Sequence, residues 1–243
     1  MARMNKVAIL AGMVAGSLLL GTLVVVGGDL MKAPSSAASE AGGAPSGTGL
    51  PWQIELRPGG ASQVMGLTLS TGPDASTLAD VRRLFGAEVQ IAVIAAPGEA
   101  GSLEAFVDPA QLGFVSGKLV VTARLDAATL QGLRERALKS DFMESATRKY
   151  TLAPADEALA LKAPVAALSF IPQARLDADA ILARFGQPAR RVQSNGHLEH
   201  FLYPDKGLDV ILDTEGKELL QYVPPAAFER LSAPLAASQP PGP

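Results

Sequence analysis

Between Val165 and Val223 the alternation of apolar and polar positions changes period twice. Val165-Ala-Ala-Leu-Ser-Phe170 is an apolar run of strand length. Asp177 to Gly186 then places Ala180, Ile181, Arg184 and Phe185 at helical spacing, with the Arg184 stem able to lie along the rim. Asp177 is a natural N-cap, because its carboxylate can accept from a free backbone N–H two or three residues on. Gly186 stands just past the last helical residue, where positive φ is cheap without a Cβ, and Pro188 blocks continuation. Period two returns in Leu198 to Tyr203 and in Leu208 to Leu212, joined by Pro204-Asp-Lys-Gly207. Asp213-Thr-Glu-Gly216 makes a second hairpin turn before Lys217 to Tyr222. An antiparallel meander with one helix on one face satisfies this pattern.

A weaker version lies upstream. Val64-Met-Gly-Leu-Thr-Leu69 precedes Thr77-Leu-Ala-Asp-Val-Arg-Arg-Leu-Phe-Gly86. The interval from the opening Val to Phe is 20 residues in the later segment and 21 in the earlier one. Gly196-His-Leu-Glu-His-Phe-Leu-Tyr-Pro204 echoes Gly101-Ser-Leu-Glu-Ala-Phe-Val-Asp-Pro109, and Leu208 to Gly216-Lys217 echoes Leu112 to Gly117-Lys118. Matches in one order point to a duplicated unit. In the first copy, Trp52 to Leu56 reads as an opening strand, Val89 to Ala95 as a buried strand, and Lys118 to Arg124 as a strand. Asp126 then caps a helix through about Leu138. Arg148 to Leu152 reads as the equivalent opening strand of the second copy, with a short helical piece near Pro154 to Ala160. Pro224 to Leu231 takes the place of the Asp126 helix.

The two ends behave differently. Val7 to Val26 is 20 residues without a charge, flanked by Arg3, Lys6, Asp29 and Lys32. That length spans a bilayer core as a helix, and the leading cations place the N-terminus in the cytoplasm. An uncleaved signal-anchor is favoured over a removed signal peptide, because the apolar core exceeds the usual length. Ala33 to Gly49 is almost wholly Ala, Ser, Gly, Pro and Thr, a flexible tether. The expected organisation is a cytoplasmic stub over 1–6, an anchor over 7–28, a linker over 29–50, one repeat over 51–140, a second over 141–231 and a disordered tail over 232–243. The fold class is therefore α+β, an N-terminal transmembrane helix followed by two modules of a short helix on an antiparallel meander.

Composition narrows function more than it defines it. The chain has 243 residues, a net charge of -3 and no cysteine. The charge is too mild to suggest nucleic acid. Without thiols, disulfide frameworks, thiolate catalysis and N-terminal cysteine lipidation are excluded. The only histidines are His197 and His200. On a strand, residues three apart point to opposite faces, so they do not form a metal pair, and both read as structural or surface groups. Glu104 and Glu199 occupy equivalent places in the echo, which duplication explains without catalysis. No phosphate loop, dinucleotide fingerprint or Gly-x-Ser-x-Gly elbow occurs, and no cofactor or metal is expected. Arg82, Arg83, Arg184, Arg190 and Arg191 are basic positions of the kind that usually face solvent. Glu199, His200, Phe201, Tyr203 and Tyr222, with Trp52, are the candidates for a recognition surface, since aromatic side chains concentrate at interface centres.

The run Leu176-Asp-Ala-Asp-Ala-Ile-Leu-Ala-Arg-Phe-Gly-Gln-Pro188, a Leu-x-x-Phe-x-Tyr strand and Leu-Asp-x-x-Gly-Lys217 resemble the BamE/SmpA (OmlA) superfamily. The tandem-repeat β-lactamase inhibitor protein fold is similar to it. The resemblance covers Val165 to Val223 well and Val64 to Val121 poorly. It implies a two-layer module that binds other proteins in the bacterial envelope and catalyses nothing. BamE proteins carry a lipobox cysteine; this chain has an apolar segment in its place, and two copies rather than one. The expectation is a single-pass inner-membrane protein, its bulk in the periplasm, serving as a non-enzymatic interaction or scaffold module for an envelope protein. The alternative is a small-molecule or glycan-binding domain, or an enzyme, with its site in the groove between the copies.

Overall fold

The computed structural model describes residues 48–143 and 146–237. The expected anchor over 7–28 and the expected linker up to residue 47 lie outside them. No helix among the described residues is long and apolar enough to cross a membrane. In chain order the elements are β1 (Glu55–Arg57), β2 (Ala61–Val64), β3 (Leu67–Leu69), α1 (Leu78–Phe85), β4 (Gln90–Ala95), β5 (Ser102–Leu112), β6 (Val115–Ala123) and α2 (Ala127–Glu135). They continue with β7 (Lys139–Phe142), β8 (Arg148–Thr151), α3 (Glu157–Leu161), β9 (Val165–Pro172), α4 (Ala178–Phe185), β10 (Arg190–Gln193), β11 (Leu198–Tyr203), β12 (Leu208–Asp213), β13 (Leu219–Tyr222) and α5 (Glu229–Ala237). The class is mixed α+β.

Ten strands form one antiparallel sheet in the order β10-β11-β12-β13-β9-β6-β5-β4-β8-β7, and β1-β2-β3 form a small separate sheet. The helices begin and end where local chemistry dictates. Asp177 Oδ1 accepts from Ala180 N at 2.7 Å, and Asp126 Oδ1 from Thr129 N at 2.8 Å, each a side-chain cap on a free helix N–H. Asp80 accepts from the backbone N–H of Thr77 at 2.8 Å at the start of α1. Helices α1 and α4 each have eight residues, and their starts lie 100 positions apart. Gly86 (φ 94, ψ 177) and Gly186 (φ 81, ψ -166) end them in one conformation, reached almost only by glycine.

Strand alternation gives the sheet two faces. Leu103, Ala105 and Val107 of β5, Phe201 and Tyr203 of β11, and Leu168 and Phe170 of β9 join Leu78, Val81, Leu130, Leu133, Ile181 and Phe185 in the main core. This helix face therefore carries α1, α2 and α4. On the far face, Phe228, Leu231 and Leu235 of the C-terminal segment pack on Ala167, Val192, Leu202 and Val223.

Several expectations are corrected. Val64 to Leu69 is not one strand: Met65-Gly66 turns the chain back between β2 and β3. Trp52 to Leu56 and Arg148 to Leu152 are not equivalent, since β1 lies in the small sheet and β8 beside β4 in the large one. Helix α2 ends at Glu135 and frees Lys139–Phe142 to pair with β8 as β7, across the boundary set at residue 140. Residues 232–237 continue α5 rather than starting a disordered tail, because Leu235 is buried against the far face. Gly117-Lys118 is not a turn like Gly216-Lys217. Gly117 sits inside β6 opposite Pro172 of β9, where a Cβ would run into Ile171 O and the Phe170 ring.

That close approach makes a direct test. Gly117→Ala should cost about 1–3 kcal/mol of stability by overpacking the β6–β9 contact. Gly196→Ala, with nothing within 4 Å of the new Cβ, should leave the urea midpoint nearly unchanged. Equal midpoints for the two variants would show that β6 and β9 do not approach this closely.

Candidate functional site

Three of the ionisable side chains drawn out of water, Glu104, His200 and Asp209, lie on β5, β11 and β12; Asp156 and Glu218 are buried elsewhere, the first against Arg136 and the second near Arg175. His200 and Asp209 lie diagonally on the far face, because His200 pairs with Ile211 and Leu202 pairs with Asp209. His200 Nδ1 is 2.7 Å from Asp209 Oδ2, and its Nε2 is 3.0 Å from Ser194 Oγ in the β10–β11 turn. His200 is 7% exposed and Asp209 1%. Burial raises the Asp209 carboxyl, and the hydrogen bond from His200 opposes that rise. Asp209 Oδ1 has no partner among the described residues.

His197 takes a different carboxylate, Asp213 Oδ1, at 2.9 Å. Burial works to raise Asp213, but His197 and the N–H groups of Glu215 and Gly216 outweigh it and hold it below the usual carboxylate range. The two histidines thus serve two separate pairs. No cluster of three or more His, Asp or Glu side chains among the described residues is placed to hold a metal.

Glu104 is buried as well, 6% exposed. It stands on the far face between Ala92 of β4 and Thr122 of β6. Burial lifts its carboxyl to about 7 against the pull of Ser102, whose Oγ donates to it at 2.7 Å. The sequence echo aligned Glu104 with Glu199. Strand register places it differently. Counting from the matched helices, Ala92 corresponds to Val192; Ala92 pairs with Glu104, and Val192 pairs with His200. Glu104 and His200 therefore hold the same position, while Glu199 points to the other face and pairs with Arg191 at 2.8 Å.

The recognition surface drawn from Glu199, His200, Phe201, Tyr203 and Tyr222 does not form. Phe201, Tyr203 and Tyr222 are core residues. Tyr203 donates to Gly186 O at 2.9 Å, and burial pushes its hydroxyl to about 12. Tyr222 donates to Pro51 O at 2.9 Å and so ties the entering chain to β13. Only Glu199 keeps partial exposure, and Arg191, which also lies over the Phe201 ring, covers it. Trp52 is half-buried between Arg184 and the exposed Phe114 of the β5–β6 turn. The arginines act singly: Arg82 pairs with Glu157, Arg83 with Asp80 and Arg184 with the Trp52 ring.

Sequence reasoning missed the edge at the other end of the sheet. β7 is exposed at all four residues, and it is flanked by Leu138 at 65% and carries Phe142 at 70% exposure. Beside it lies an open hollow of about 390 Å³, lined by Gln90, Lys139, Asp141, Phe142, Met143, Lys149 and Thr151. The signal lies in Lys139-Ser-Asp-Phe142, a short polar stretch ending in an aromatic residue directly after the helix that Asp126 caps. No family model, curated protein or solved structure matches this chain.

The raised Glu104 pKa has a definite sign. Between about 4.5 and 7 the folded state holds a proton that the unfolded state has lost, so stability falls as pH rises through that window. Glu104→Gln should therefore gain on the parent by about 3 kcal/mol between pH 5 and pH 8, in line with 1.36 kcal/mol per pKa unit. Urea unfolding at both pH values measures it; a constant difference would mean that Glu104 is ionised throughout.

Proposed function

We propose that this chain is a non-enzymatic interaction module of the bacterial envelope, held at the inner membrane by residues 7–28 with its bulk in the periplasm. The proposal includes an origin by duplication of a helix-on-meander unit. It is supported by the equal lengths and matched glycine ends of α1 and α4, and by the like registers of β4–β5 and β10–β11. The observation that carries the interaction reading is the free β7 edge. Unpaired backbone groups at a sheet edge accept an added strand, and apolar side chains at alternate positions supply its anchors. Phe142 is exposed on β7 beside the hollow, and Leu138 is exposed just ahead of the strand.

The BamE-like resemblance points the same way. The tether would raise the local concentration of the edge for partners on the same membrane. A photo-crosslinking residue in place of Phe142, in the full-length chain in intact cells, should capture an envelope protein. The same residue in place of the exposed Glu215 should not. Equal capture at both positions, or none at either, counts against the edge.

One observation favours the enzymatic alternative. Ser194, His200 and Asp209 are connected as a nucleophile, base and orienting carboxylate would be. The halves meet in a backbone ladder from Gly117↔Pro172 to Ala123↔Val165, and an open hollow of about 450 Å³, lined by Leu125, Leu159, Lys162 and Pro164, lies beside its Ala123 end. A fluorophosphonate probe separates the readings. The interaction module expects no labelling; labelling of Ser194 that His200→Ala and Asp209→Asn both abolish would replace it with a serine hydrolase.

A further inference from the structure

The free edge is self-complementary. Leu138-Lys139-Ser140-Asp141-Phe142 reads apolar, cationic, small, anionic, apolar about Ser140. We propose that a second copy of this chain docks antiparallel on β7, with Ser140 opposite Ser140 on a two-fold axis. This deepens the interaction reading by naming the partner of the edge, and it rests on that edge being free.

Backbone geometry selects the register. β7 pairs with β8 as Lys139↔Thr151, Ser140↔Tyr150, Asp141↔Lys149 and Phe142↔Arg148. Met143 N donates to Thr147 O at 2.8 Å, which continues this register as a hydrogen-bonded pair. Bonded and non-bonded pairs alternate along an antiparallel ladder. Lys139 and Asp141 therefore direct their backbone groups to β8, while Ser140 and Phe142 direct theirs outward. With Ser140 on the axis, its N–H and C=O meet those of Ser140 of the second copy. Leu138 lies outside this ladder: it is a bend before β7, and its N–H is donated to Thr151 O at 2.9 Å.

The charged side chains agree with that register. Lys139 and Asp141 share one face, where they now pair with each other at 2.9 Å while more than half exposed. In the docked pair, each Lys139 stands opposite Asp141 of the second copy, and the contact occurs twice because a two-fold interface is isologous. Lys149 lies next to Asp141 across the ladder, so charges alternate along the row: lysine, aspartate, lysine. On the other face Arg148 stacks over the Phe142 ring at 4.0 Å. Shifting by one residue puts Lys139 opposite Ser140 and loses both ion pairs. The other end of the sheet lacks this symmetry: antiparallel self-pairing of Arg190-Arg191-Val192-Gln193 about Arg191 would set arginine against arginine, and about Val192 it forms no ion pair.

A ladder this short is small beside the 1,200–2,000 Å² typical of stable interfaces, so the pair should be captured rather than weighed in dilute solution. The chain has no cysteine, which makes a single introduced thiol unambiguous. Cα atoms of a bonded antiparallel pair lie about 5.5 Å apart, within disulfide range. Oxidation of concentrated full-length Ser140→Cys should give a reducible dimer, and the exposed control Glu215→Cys should give none. Adding Asp141→Lys, which faces lysine with lysine, should abolish the dimer. Adding both Lys139→Asp and Asp141→Lys, which inverts the charges but keeps their symmetry, should restore it. All these positions are exposed, and unchanged circular dichroism confirms that each variant folds. Absence of the Ser140→Cys dimer, or a dimer indifferent to the two charge variants, overturns self-pairing. If the Phe142 crosslinker captures an envelope protein while Ser140→Cys does not dimerise, the edge takes a foreign strand and only this inference fails. A charge-dependent dimer with no captured protein keeps self-pairing and removes the envelope partner.

Discussion

The structure depends on the ladder between β6 and β9. It is the only strand pairing in the large sheet between a strand preceding α2 and one following α3, and it turns two short meanders into one ten-stranded sheet. Each meander alone would expose a strand edge and half a core. Joined, β9 is buried on both faces along nearly its whole length, which is why Val165 to Phe170 reads as a continuous apolar run rather than an alternating one. The closeness of the contact is visible at Gly117, where the neighbouring backbone and the Phe170 ring occupy the space of a side chain. A residue that resembles a turn glycine in sequence is there because two strands meet.

Buried charge follows from this sheet. With α1, α2 and α4 all on one face, the far face of β5, β11 and β12 carries the polar positions of those strands. Each half keeps one ionisable group at the same register position: Glu104 in the first and His200 in the second. They are stabilised differently. Glu104 has only a hydroxyl beside it and moves toward its neutral form. His200 is held between Asp209 and Ser194, so its buried carboxylate partner is compensated at one oxygen and not at the other. The arrangement resembles a catalytic relay because the same rule applies in both settings: a buried imidazole needs a partner at each nitrogen.

How much of this was legible follows from the range of the interactions. Helices α1 and α4, their caps and their glycine ends are local, and the pattern of Asp177, Ile181, Phe185 and Gly186 locates α4 to the residue. Hairpin turns at Pro204 to Gly207 and Asp213 to Gly216 are local too. Strand partners are not. Nothing in Arg148 to Thr151 states that it borders β4 rather than opening a second module, and nothing in Val64 to Leu69 marks the break at Met65, whose φ of 53 is unusual for a non-glycine residue. The proposed surface failed for a physical reason: Phe201, Tyr203 and Tyr222 alternate toward the helices, so the aromatic side chains that suggested recognition are those most needed for the core.

An open antiparallel sheet leaves two edges, and a stable protein must deal with both. At β10 the solution is repulsive: consecutive arginines line a short strand, and Arg191 is held by Glu199. At β7 the charges are balanced in sign and symmetric about Ser140, and apolar groups flank them. Balanced charge repels a random strand less than like charge does, and it rewards one register over its neighbours. An edge built only to resist pairing would gain from a second lysine at Asp141. Keeping aspartate there, between Lys149 and Lys139, makes the edge selective rather than closed.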